Sequence, residues 1–109
     1  VKATAKNTSG IELIRSERER QILDEGYDKY HDDCHTREEI AWAAACYAAP
    51  EEIWRRDTAS RDFLLKDPWP FDWYDKRPVD PTPEQRIRSL VKAGALCAAE
   101  IDRLLRRSR

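Results

Sequence analysis

Apolar residues return at helical spacing in three stretches of this chain, with a proline-rich segment between the last two. The first stretch, IELIRSERERQILDE, follows Ser9 and ends at Gly26. Ser9 with Glu12 matches a capping box, in which each side chain accepts a backbone N–H of the other residue. Ile11, Ile14, Arg18 and Ile22 lie on one stripe, flanked by Leu13 and Leu23. Arg15 to Gln21 is almost wholly polar, so the contact face there needs long aliphatic stems or a polar interface. Gly26 suits a left-handed helix stop.

After a polar connection from Tyr27 to His35, Thr36 and Glu39 repeat the capping-box pattern. They introduce REEIAWAAACYAA, which ends at Pro50 and carries six alanines. Such a narrow helix lets neighbouring backbones approach, so it is expected to be central, with Ile40, Trp42 and Tyr47 supplying bulk. Glu51 to Arg56 can add a short helical turn. From Asp57 to Pro81 the helical rhythm breaks, and Pro68, Pro70, Pro78 and Pro81 fall there. A loop of this length is unusual in a small domain, and its apolar content predicts an ordered wrap. Thr82, Pro83 and Gln85 then start the last helix. Ile87, Leu90, Val91, Gly94, Cys97, Ala98, Ile101, Leu104 and Leu105 give it a broad apolar face. Gly94 is expected where this helix approaches the alanine-rich one. The pattern predicts an all-α fold: a small bundle of three main helices with a long, ordered aromatic and proline-rich loop. Residues 1–8 are expected to be a flexible tail, and 9–109 a single helical domain.

Composition narrows the function. Across 109 residues, 20 Lys+Arg face 21 Asp+Glu, a formal net charge of −1. Nucleic acid is therefore not the expected partner, since binders of that class show a basic excess. No apolar run is long enough to span a membrane. Cys34, Cys46 and Cys97 have neither the number nor the spacing of a disulfide framework, which predicts reduced thiols in the cytoplasm.

Four groups of residues could carry chemistry. His31, Asp32 and His35 could ligate a divalent metal, although Asp32 and Asp33 also suit the start of a helix. Trp69, Phe71, Trp73 and Tyr74 place four of the ten aromatic residues within six positions, near Arg55, Arg56, Lys76 and Arg77. Such rings either cover the open face of a small bundle with an alanine-rich helix or stack on a ligand whose phosphates or carboxylates the cations hold. Two or three rings are expected in the core, with any exposed ring left for an interface. Charge is divided: residues 11–35 hold eight acids and four bases, and residues 83–109 three acids and seven bases. Arg103, Arg106, Arg107 and Arg109 could meet DNA or merely oppose a helix dipole. Finally, Glu12, Glu17, Glu38, Glu39, Glu100 and Asp102 could hold Mg²⁺ in a bundle core. The E-E-x-x-E and E-x-x-D motifs of all-α nucleotide pyrophosphohydrolases are broken here by Trp42 and Arg103.

The segments GIELIRSERERQI (Gly10 to Ile22), HDDCHTREEIAWAAACYAAP (His31 to Pro50), DPWPFDWY (Asp67 to Tyr74) and RSLVKAGALCAAEIDRL (Arg88 to Leu104) resemble a family of small proteins from tailed phages and prophages. The resemblance covers most of the chain after residue 9. It implies phage origin and residence in the host bacterial cytoplasm. By analogy with small phage accessory proteins, it implies inhibition or sequestration of a host component, such as part of an antiviral defence. The expected partner is a host protein or a nucleotide-type signal molecule, with no catalysis, no cofactor and a possible homo-oligomer. A metal-dependent nucleotide hydrolase using His31, Asp32, His35 and nearby glutamates is the alternative, and a DNA-associated regulator a weaker one.

Overall fold

Four helices form the regular structure in the computed structural model, which describes residues 8–49, 69–70 and 73–108. They are α1 Gly10–Glu25, α2 Lys29–Asp33, α3 Glu39–Ala48 and α4 Pro83–Ser108. No strand occurs among the described residues, so the all-α expectation holds. None of the described helices is long and apolar enough to cross a membrane. The expected tail (residues 1–7 of it), the turn at 51–56 and much of the wrap lie outside the described residues.

The two outer caps form as their residue types require. Glu12 N–H donates to Ser9 Oγ at 3.2 Å, and Ser9 N–H to Glu12 Oε1 at 3.1 Å. Gln85 N–H donates to Thr82 Oγ1 at 3.1 Å, and Thr82 N–H to Gln85 Oε1 at 2.9 Å. Gly26 ends α1 at φ +76°, where a side chain would be strained. The Thr36–Glu39 box does not form. α3 begins instead after Glu38, whose φ of 67° is left-handed, and Arg37 N–H takes the Glu39 carboxylate at 2.7 Å. The expected polar connection contains α2, capped by Asp28, which accepts His31 N–H at 3.0 Å.

The long helix is the hub: α1, α2 and α3 each pack on α4. Ile40, Ala43, Ala44 and Tyr47 of α3 meet Ala93, Leu96 and Ala99 of α4, and Trp69 and Trp73 pack against this core. Alanine on both helices lets the backbones close, as expected. Trp42 is 50% exposed and does not supply the bulk assigned to it. The guanidinium of Arg86 from α4 closes the end of α3, donating to the carbonyls of Tyr47, Ala48 and Ala49. A cation there also complements the negative pole of the helix.

Along α1 the polar interface, one of the two arrangements expected between Arg15 and Gln21, forms: Glu17 and Gln21 are buried, and Arg88 of α4 reaches across to Glu17 at 2.7 Å. The apolar stripe of α1 does differ from expectation, since Ile11 and Leu23 are exposed. So does the face of α4. On α4 only Val91 of the large apolar residues in the expected contact face is buried; Ile87, Leu90, Ile101, Leu104 and Leu105 are exposed. Ser89, Glu100 and Arg103 are buried instead. Glu100 and Arg103 enter the interior as a mutually neutralising pair, with N···O distances of 2.7 and 2.8 Å.

Gly94 faces α1, not the alanine-rich helix. A Cβ built there would lie 2.5 Å from Ile14 Cδ1 and 2.8 Å from Ile14 Cγ1. Gly94→Val should lower the unfolding free energy by about 1–3 kcal/mol in urea titrations, the usual cost of overpacking. Combining it with Ile14→Ala should cost less than the two changes added together. Strict additivity would show that Ile14 is not the obstacle.

Candidate functional site

The buried face of α1 begins an ionic ladder that ends on the aromatic segment. Glu17, 2% exposed, accepts from Arg20 Nε and Nη2 at 2.9 Å each and from Gln21 Nε2 at 3.1 Å. Arg88 completes its neutralisation from α4. Arg20 Nη2 also donates to Glu25 at 3.0 Å, and Lys76 Nζ donates to the other side of Glu25 at 3.2 and 3.3 Å. Glu17, Gln21 and Glu25 recur every four residues, one turn apart on one face of α1. Burial works to raise the Glu17 carboxyl, but the bonds from Arg20 and the charge of Arg88 outweigh it and hold the group below its ordinary value. Arg20 and Lys76 likewise hold Glu25 low.

A narrow cavity of about 40 Å³ opens beside this ladder. Gln21 and Glu17 form one wall, Tyr47, Lys92 and Leu96 another, and Trp69, Trp73, Tyr74 and Lys76 the third. Burial pushes the Tyr47 hydroxyl up to about 12, so it stays protonated and can donate. Burial, with help from Arg88, lowers the Lys92 ammonium, whose Nζ lies 5.5 Å from the Tyr47 ring centre. Gln21 Nε2 is committed to the Glu17 carboxylate, which fixes the amide orientation and leaves Oε1 as a buried acceptor without a partner among the described residues. An unmet buried carbonyl costs about 1–3 kcal/mol. The cavity has room for a few waters or for the edge of a ring, not for a whole ring.

Among the described rings, Trp69 and Trp73 pack partly buried against the core and Tyr74 lies at the surface. Trp69 is half-buried, donates Nε1–H to Trp73 O at 3.1 Å and meets Tyr47 edge-on at 5.4 Å. Arg77 stacks over Trp69, its Cζ 4.7 Å from the ring centre, while its guanidinium donates to Asp75. Trp73 is half-buried and meets His35 edge-on at 5.0 Å. Tyr74 is 81% exposed at the mouth of the cavity. Of the site residues expected from sequence, Trp69, Trp73, Tyr74 and Lys76 therefore come together, and Arg77 supports Trp69 from outside. Phe71, Arg55 and Arg56 lie outside the described residues. Glu17 was expected only as one of several carboxylates that could hold Mg²⁺, and Gln21, Tyr47 and Lys92 were not among the expected site residues. The sequence signal for Glu17 and Gln21 is the four-residue recurrence of Glu17, Gln21 and Glu25 inside an otherwise featureless polar run.

The histidine segment is part of the helix packing. His31 Nδ1 lies 2.9 Å from Asp32 Oδ1, and His35 Nδ1 lies 2.9 Å from His31 O. A carboxylate and a carbonyl can only accept, so Nδ1 carries the proton in both rings. Asp32 is 1% exposed and also accepts from Arg18 at 3.3 Å. Tyr27 stacks on His31 at 4.5 Å. Among the described residues no group of three His, Cys, Asp or Glu side chains is placed to hold a metal ion. Of the C-terminal arginines, Arg103 serves Glu100 and Arg106 pairs with Asp33 at 2.7 Å. Arg109 lies outside the described residues.

Compared with protein-family models, curated proteins and solved structures, the chain matches none.

The lowered carboxyls of Glu17 and Glu25 stabilise the fold above the unfolded glutamate value and stop doing so as pH falls through their folded values. Stability in urea should therefore hold from neutral pH down to about 4.3 and fall below it. In Arg20→Met, desolvation of Glu17 is less opposed, and the acid-side loss should shrink or reverse sign. An unchanged pH profile in that variant would remove Arg20 from the ladder.

Proposed function

We propose that the chain acts by binding rather than catalysis, and that its ligand is a nucleotide-type molecule whose base edge enters the cavity beside Gln21. One observation carries this reading: Gln21, whose buried Oε1 has no partner among the described residues, lines a cavity walled by aromatic rings and cations. An amino or ring N–H group of a base would satisfy Gln21 Oε1. Tyr74 is exposed at the mouth, where the ring plane of such a base would lie. Lys76 and Arg20, which donate to Glu25 and Glu17, line the same cavity and would share those contacts with its phosphate. The hydrolase alternative has less in its favour, because Glu17, Asp32 and Glu100 are each engaged by an arginine within 3.3 Å. The accessory role, capture of a host signal or defence component by a phage protein in the bacterial cytoplasm, rests on the motif resemblance alone.

Titration calorimetry with the four common nucleoside monophosphates is the test. At least one, carrying an amino or imino donor on its base, should bind. Tyr74→Ala should weaken that binding by about 1–3 kcal/mol, the worth of one stacked base. Tyr30→Ala, an exposed ring outside the cavity, should leave it unchanged. Absence of binding by all four, or indifference to Tyr74→Ala, would contradict the reading.

A further inference from the structure

α4 is apolar on two sides. Its buried side carries Val91, Ala93, Ala95, Leu96 and Ala99 together with Ser89, Glu100 and Arg103, whereas its outward side carries Ile87, Leu90, Ile101, Leu104 and Leu105, between 42% and 57% exposed. A helix of a self-sufficient domain places its apolar stripe inward and polar residues outward. Here small residues and an ion pair take much of the inward side, and five large aliphatic residues lie outside.

The outward stripe has a definite register. Positions 87, 90, 94, 97, 101 and 104 alternate in steps of three and four, the seam of a two-helix coil. No charged residue occupies any of them. Large residues stand at both ends, and the middle narrows to Gly94, half-covered by Ile14, and to the exposed Cys97. The seam is also centred on the helix: 87 and 104, 90 and 101, and 94 and 97 are equally far from the midpoint of Pro83–Ser108.

We propose that a second copy of this chain covers the stripe, with the two α4 helices antiparallel about a twofold axis. That symmetry makes one patch complementary to itself, as an isologous contact requires. Ile87 then faces Leu104 of the second copy and Leu90 faces Ile101, while Ile14 of α1 lies over Gly94 at the middle of the seam. Charge selects this direction. The first turn of α4 is acidic at Glu84 and the last is basic at Arg106 and Arg107. Antiparallel pairing brings unlike ends and opposed helix dipoles together, whereas parallel pairing would crowd the arginines of both copies. The seam runs for about 27 Å at the helical rise, short enough that association should depend on concentration.

Light scattering after size exclusion, from micromolar to submillimolar protein, tests the proposal. The wild type should move from the monomer mass of 12.8 kDa toward twice that value. Ile101→Glu places a charge in the seam at a site already open to water, and should remain monomeric with unchanged helical circular dichroism. Direction is read by disulfide trapping in a Cys34→Ser, Cys97→Ser background. Ile87→Cys mixed with Leu104→Cys should cross-link far faster than either alone. A wild type that stays monomeric throughout, including one that binds lipid vesicles instead, overturns the proposal. So does an Ile101→Glu variant that still dimerises, or Ile87→Cys cross-linking preferentially to itself.

Discussion

A carboxylate removed from water constrains most of this molecule. Glu17 sits in the middle of α1, where burial alone would neutralise it. It stays ionised because two guanidinium groups and an amide meet it, from its own helix and from α4. Arg20 then extends the network to Glu25, and Glu25 reaches Lys76 beside the aromatic segment. A buried charge tolerates few geometries, since displacing either partner leaves the other unpaired in a poor solvent. The ladder therefore fixes how α1 crosses α4 and ties residues 73–76 to α1.

The candidate site is a consequence of that arrangement. Gln21 is oriented because its amide nitrogen serves the same carboxylate, and this presents its oxygen as an unmet acceptor. Trp69 and Trp73 close over the alanine-rich contact of α3 and α4, and the polar groups of α1 give the cavity its third wall. The features that stabilise the fold and the features that could recognise a ligand are thus the same side chains. The outward stripe of α4 follows from the same economy: with its inner side given to small residues and to Glu100 and Arg103, the aliphatic residues face away.

What was legible in the sequence was local. The Ser9–Glu12 and Thr82–Gln85 caps need residues three positions apart, and both formed. The alanine-rich helix had to be packed closely because it had little side chain to bury. The aromatic segment announced itself by composition, and Trp69, Trp73, Tyr74 and Lys76 do share a cavity. One loss was local and the others were non-local. Glu38 adopts a left-handed backbone that the Thr36–Glu39 spacing does not suggest. Periodicity grouped Ile87, Leu90 and Ile101 on one face but could not say which way the face points. Nor could spacing reveal Glu17 as buried, because a charge enters an interior only when its partner arrives from elsewhere, here from Arg88 seventy-odd positions away.

The most direct measurement is the near-ultraviolet circular dichroism of Glu17→Gln, recorded beside its far-ultraviolet spectrum. The account predicts that the helical signal persists while the tryptophan bands weaken, because the ladder no longer holds the aromatic segment against the core. Tryptophan bands as strong as those of the wild type would mean that the aromatic segment is seated without Glu17, and would contradict it.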